Sequence, residues 1–154
     1  MKKLLIQFPE ERVSAIIELL EDEAPRTTVQ LWENAPFEGQ LLHDIWSGPQ
    51  VFLPLESIKC IEPENLTMFV QPGDIFFHCR KKYYYRGRPY GRECMAEIGI
   101  VYDRDSAPCG PIGQKSVNMC GKIIEGFDKL KQVCNSIIFK GPKIIKISRY
   151  EEEV

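Results

Sequence analysis

Apolar residues in this chain fall into short runs, broken at close intervals by glycine, proline and charge. Val13 to Leu20 is strongly apolar. After Pro25 the segment Arg26 to Glu33 reads as a helix, with Thr27 or Thr28 in its first turn and Pro36 ending it. From Gly39 the pattern shortens. Leu41 to Trp46, Val51 to Leu55, Leu66 to Val70, Ile75 to Phe77 and Met95 to Tyr102 have strand length. Ser47-Gly48-Pro49, Gln71-Pro72-Gly73-Asp74 and Asp103-Arg104-Asp105-Ser106 between them are turn sequences. Phe127, Leu130, Lys131 and Cys134 share a helical period across Glu125 to Cys134, whereas Lys143 to Tyr150 alternates and places Ile145 and Ile147 on one side. Many short strands with two helices predict a mainly β fold, a closed or nearly closed barrel whose ends the helices plug.

A length of 154 residues suits one domain, 1–154, burying roughly two-thirds of the surface its unfolded chain exposes. With 44% apolar and 27% charged residues the composition is that of a soluble globular protein, so membrane and disordered classes drop out. The initial MKKLLIQF has a basic start, but its apolar run stops at Pro9-Glu10-Glu11-Arg12. That is too short for a signal-peptide core or a bilayer span, and a cytoplasmic protein without membrane contact is expected. Six cysteines, at Cys60, Cys79, Cys94, Cys109, Cys120 and Cys134, include no CxxC pair. Without close pairs to present two sulfurs to one metal, the reading is six thiols, no metal and no cofactor.

The segment RKKYYYRGRPYGR, Arg80 to Arg92, carries six basic residues and four tyrosines. Interleaved cations and rings suit single-stranded nucleic acid, since cations neutralise phosphates while phenol rings stack on bases. The whole chain, however, has a formal net charge of −2 and supplies no broad positive field. Gly87 and Pro89-Tyr90-Gly91 are turn chemistry. The segment therefore reads as a hairpin with a solvated basic face, and no nucleic-acid partner is expected.

Three stretches carry a family resemblance. Gly121 to Asp128, GKIIEGFD, followed by Leu130-Lys131 and the strand Lys143 to Ile147, resembles the C-terminal signature of cyclophilins. Ala24-Pro25-Arg26-Thr27, then Phe37-Glu38-Gly39 and Leu42-His43, resembles the cyclophilin run from the first helix to the strand bearing the catalytic arginine. Glu21 to Thr27 (EDEAPRT), His43 to Gly48 (HxxWSG) and Pro89 to Gly91 (PYG) resemble, more closely, a prokaryotic cyclophilin-like family of unknown function. The resemblance implies a closed eight-stranded barrel capped by two short helices. It also implies a prolyl isomerase site, and there the chain departs from the pattern. The arginine position after the strand histidine is Asp44, which cannot donate to a substrate carbonyl. Phe52-Leu53-Pro54-Leu55 keeps an aromatic residue and loses the family's glutamine, and Gly110 to Met119 has neither its tryptophan nor its histidine. Weak peptidyl-prolyl isomerisation is accordingly the second reading.

Residues from the motif stretches, His43, Asp44, Trp46, Phe52, Tyr90, Arg92 and Glu93, are the candidate lining of a ligand pocket at the former active-site position. Aromatic side chains would form apolar walls, Arg92 could take a carboxylate bidentately, and His43 or Glu93 could fix a donor or acceptor. Taken singly, each has a duller explanation: a satisfied core histidine, core aromatics, a turn tyrosine, a surface pair. The first reading is a protein that binds a small polar or anionic molecule, or a peptide. A hydrolase has the least support, because His43 and Asp44 are neighbours on a strand and point to opposite faces, His78 is the only other histidine, and no Ser or Cys sits in a recognisable nucleophile motif. An interaction protein is the third class, with Tyr83 to Tyr85 on an edge strand offering contact to a second copy in a homo-oligomer.

Overall fold

The computed structural model describes residues 1–84 and 94–151. Strands β1 (Lys3–Phe8) and β2 (Val13–Leu19) precede helix α1 (Pro25–Asn34), which leads into β3 (Phe37–His43) and β4 (Gln50–Leu55). The two-residue β5 (Leu66–Thr67) is followed by the long strands β6 (Asp74–Lys81) and β7 (Cys94–Val101). A small ladder of β8 (Cys109–Gly110) and β9 (Gly113–Gln114) comes next, then β10 (Val117–Glu125), helix α2 (Phe127–Lys140) and β11 (Lys143–Tyr150). The strand order is β2-β1-β11-β3-β4-β7-β6-β10, and β10 pairs back onto β2. Eight antiparallel strands thus close on themselves, with β5 appended to β10. Closure gives each of the eight barrel strands two partners.

Strand alternation sorts the side chains. Leu4, Ile6 and Phe8 of β1, Ile17 and Leu19 of β2, and Ile145 and Ile147 of β11 fill the interior. So do Val51, Leu53 and Leu55 of β4, Ile75 and Phe77 of β6, and Ala96, Ile98 and Ile100 of β7. Each fully buried Leu, Ile or Phe contributes about 1.5–3 kcal/mol over exposure. Outside the wall a smaller cluster of Val70, Phe76, Val101, Val117 and Met119 is buried beneath the β5 segment. Gly99 belongs to this packing, because the Phe76 ring occupies the place where a Cβ at Gly99 would stand.

Helix α2 buries Leu130, Val133, Cys134 and Ile137 and packs against β2 and β3. Helix α1 packs against β10 and has no capping side chain of its own. Glu64, from the β4–β5 connection, caps it instead: its carboxylate accepts from the Thr27 N–H at 2.8 Å, the Arg26 N–H at 3.2 Å and Arg26 Nε at 3.0 Å. Asn118 of β10 ties the same region together, donating to Thr27 Oγ1 and to the Glu62 carbonyl.

The barrel, its two helices and the span of β11 agree with the sequence reading, while several boundaries differ for local reasons. Lys3–Phe8 of MKKLLIQF forms β1, and the apolar run from Val13 forms β2 as far as Leu19. The strand expected at Leu41 to Trp46 lies instead at Phe37–His43, because the Asp44 carboxylate accepts the Trp46 N–H at 2.9 Å and turns the chain. Leu66 to Val70 shrinks to two residues where Thr67 Oγ1 accepts the Phe69 N–H. Helix α2 extends beyond Cys134 to Lys140, since Ile137 adds a further buried turn. Tyr83 and Tyr84 follow β6 in a turn and not in the edge strand expected of them, and β6 has partners on both sides. Within RKKYYYRGRPYGR, Arg80 and Lys81 end β6, and Lys81 pairs with Cys94, so the segment joins an antiparallel hairpin. Its bend at Gly87 and its tail lie outside the described residues.

The expectation of six thiols does not hold. Cys60 and Cys94 form a disulfide, with Cα atoms 5.7 Å apart, and Cys79, Cys109, Cys120 and Cys134 are free. The 34 residues between the bonded pair hide this proximity in the sequence, and folding of the β4–β5 connection over the barrel end creates it.

Candidate functional site

Because successive residues of a strand face opposite sides, the residues that alternate with the core form the outer wall. Leu42 of β3, Phe52 and Pro54 of β4, and Met95 of β7 lie there as an apolar surface, with Glu97 of β7 and His78 and Arg80 of β6 beside them. The β3–β4 turn rises on one side with Ile45 and Trp46, and the β8–β9 segment brings Lys115 and Pro111 to the other. Together they enclose a cavity of about 1050 Å³, large enough for a small-molecule ligand.

Of the residues read from the sequence, His43, Asp44, Trp46 and Phe52 all line this cavity. Tyr90, Arg92 and Glu93 lie outside the described residues. The His43 ring is held at both nitrogens: Nδ1 is 2.7 Å from the Asp44 carbonyl and Nε2 is 2.6 Å from the Tyr102 hydroxyl. A carbonyl only accepts, so Nδ1 carries the proton and, in the neutral ring, Nε2 accepts from Tyr102. Burial pushes the Tyr102 phenol above its usual range, with Cys134 and Asp103 adding to the effect, which keeps that hydroxyl a donor. Asp44 directs its carboxylate into its own turn, accepting from the Trp46 N–H and, at 3.3 Å, from Gln50 Nε2. Trp46 and Ile45 remain 55% and 78% exposed, so the rim of the cavity presents two large apolar side chains to solvent.

The electrostatic centre of the cavity was not legible as a motif. Glu97 and Lys115 form an ion pair of 3.0 Å whose side chains are only 17% and 13% exposed. Burial raises the Glu97 carboxyl above its usual range, and the nearby Asp44 charge adds to this, against the opposing pull of Lys115 and Arg80. His78 is directly across the ladder from Glu97. Burial, together with the Lys115 and Arg80 charges, depresses its pKa to about 3, so its ring is neutral at physiological pH. The available signal was alternation: His78 and Arg80 on β6 and Glu97 on β7 occupy the positions opposite the core face, but nothing in the sequence pairs them with Lys115.

This chain matches, over residues 6–149, the model of a family described as "Protein of unknown function (DUF3830)". The chain belongs to that family. No curated protein matches it. Among solved structures it is similar to McbB, described as a structure of McbB in complex with tryptophan, with a TM-score of 0.68 and 12% identity. The match covers 98% of this chain and 46% of McbB, so the chain spans about half the length of that protein. At this identity the likeness concerns the fold, a closed cyclophilin-like barrel.

Proposed function

We propose that the chain binds a small molecule with an apolar body and a carboxylate head in the outer-wall cavity, the position equivalent to the cyclophilin active site. The observation that carries this reading is the buried Lys115–Glu97 pair, set with Arg80 among Leu42, Phe52, Pro54 and Met95. Lys115 gives Glu97 one contact, and an ammonium has three donors, so the same side chain can also meet a ligand oxygen. Arg80 adds a guanidinium suited to a carboxylate. Of the two acidic side chains in the lining, Glu97 accepts from Lys115 and Asp44 accepts within its own turn, and the Lys115 and Arg80 charges balance theirs. Trp46 and Phe52 supply aromatic surface for the body of the ligand. Tyr90, Arg92 and Glu93 belong to this proposal on sequence grounds alone. A cytoplasmic location is also proposed; no helix among the described residues is long and apolar enough to cross a membrane.

McbB, which is similar in fold to this chain over 46% of its own length, is described in complex with tryptophan, which makes indole carboxylates a reasonable first probe set. Isothermal titration calorimetry with L-tryptophan, N-acetyl-L-tryptophan and indole-3-acetate, against indole and tryptamine as controls without a carboxylate, tests the reading. Saturable binding by one or more of the carboxylates, absent for the controls and lost in Arg80→Met, is expected. If none of the probes binds at millimolar concentration, or binding is indifferent to Arg80→Met, the proposal fails.

A further inference from the structure

On the inner face of the same wall, strands β6 and β7 bring two cysteines together. Cys79 pairs with Ala96 and Lys81 with Cys94, so Cys79 and Cys94 are two ladder positions apart on one face of adjoining strands. The β4–β5 connection crosses this end of the barrel and adds Cys60, bonded to Cys94, while Cys79 Sγ donates to the Ile61 carbonyl at 3.4 Å. All three sulfurs lie within 4.8 Å of one another, and all three residues are half-buried.

Three sulfurs at that separation suit one cation. Zinc–sulfur bonds of about 2.3 Å in a tetrahedral site put the sulfurs about 3.8 Å apart, so once the Cys60–Cys94 bond is reduced those two sulfurs move apart and the cluster closes on Cys79 by roughly 1 Å to complete three-sulfur coordination. The β4–β5 connection contributes Cys60 from outside regular structure and is the element best able to supply the movement. A catalytic or shuffling thiol fits less well. Burial holds the Cys79 thiol above its usual range despite the opposing effects of the Ile61 backbone and Lys81, and reactive cysteines require the opposite shift.

We propose that Cys60, Cys79 and Cys94 form a redox-gated three-sulfur site for one thiophilic d¹⁰ cation of the Zn(II) type. In the oxidised protein the Cys60–Cys94 bond occupies two of the three sulfurs and the site is closed. A dithiol or phosphine reductant delivers two electrons to that bond, and each sulfur takes up one proton, giving three thiols in the cluster. Zn(II) then displaces three protons and binds three thiolates, leaving its fourth position to water or a further ligand. The site rests on the inner-face cluster and is independent of what the outer cavity binds.

The experiment uses the full chain, reduced with a phosphine that is then removed under anaerobic conditions. Zn(II) is titrated in competition with a chromophoric chelator, and Co(II) is used in parallel to read thiolate-to-metal charge transfer. One equivalent of metal, bound at least tenfold more weakly by Cys79→Ser and as in wild type by Cys134→Ala, is expected, with no binding by the oxidised protein. Circular dichroism of Cys79→Ser checks that the barrel persists, and Cys60→Ser, altered outside the strands, provides a second variant expected to lose the metal. Failure of the reduced protein to bind stoichiometric metal, wild-type binding by folded Cys79→Ser and Cys60→Ser, or equal binding by oxidised protein would each overturn the proposal.

Discussion

Lys115 Nζ lies 3.0 Å from Glu97 Oε1 in the outer wall of the barrel, between a strand and a loop 18 residues further on. Taking two charges out of water is costly, and their mutual attraction compensates only while both are present. Lys115→Met leaves the Glu97 carboxyl buried without its cation, and a loss of about 2–4 kcal/mol in urea unfolding is expected. The double variant Lys115→Met with Glu97→Gln should recover a substantial part of it. An additive double variant would show that the pair does not act as a unit.

His78 gives stability a pH dependence of defined sign. Its native pKa of about 3 is below the ordinary 6.5, so between these values the unfolded chain takes up a proton that the native chain refuses. Stability contributed by the neutral ring is therefore present above pH 6.5 and declines as the pH falls towards 3, by on the order of 1–2 kcal/mol at pH 5. Glu97, its cross-strand partner, has a raised pKa and works in the opposite direction over part of this range. The difference between wild type and His78→Gln isolates the histidine. The wild-type protein should lose more stability than the variant from pH 7 to pH 5; parallel curves would contradict the assignment.

Prolyl isomerase activity should be weak or absent. The residue after His43 is Asp44, an acceptor already engaged by the Trp46 N–H and Gln50 Nε2, so no guanidinium stands there to act on the substrate amide. A protease-coupled assay on an X-Pro peptide checks this, and acceleration of the order seen for efficient cyclophilins would count decisively against it.

Glu64 caps α1 from outside the helix. Burial works to raise its carboxyl, but hydrogen bonds from the Thr27 N–H and from the Arg26 side chain and N–H outweigh this and hold it below the usual range. Glu64→Gln removes the charge and one accepting oxygen. A loss of about 1–2 kcal/mol is expected, with faster amide exchange in the first turn of α1 than in α2. Unchanged exchange at Thr27 would show that the cap is dispensable.

The secondary structure was legible wherever one period dominated. Ile145 and Ile147, separated by Lys146, point the same way in Lys143 to Tyr150, and that strand is found over those residues, because a half-buried strand writes its two faces directly into sequence. The mainly β barrel with two helices follows from the same logic. His43, Asp44, Trp46 and Phe52 were reachable as cavity residues because they sit in contiguous motif stretches on one turn and its strand. Lys115 beside Glu97, Glu64 on the first turn of α1, and Cys60 beside Cys79 and Cys94 were not. Each of these joins segments far apart in the chain, and no local period encodes the register at which a barrel closes or the path of a connection across its end. The β6–β7 register and the packing of the β4–β5 connection and the β8–β9 segment against the barrel decide those distances, and with them which charges share the outer wall and which sulfurs meet at the inner one.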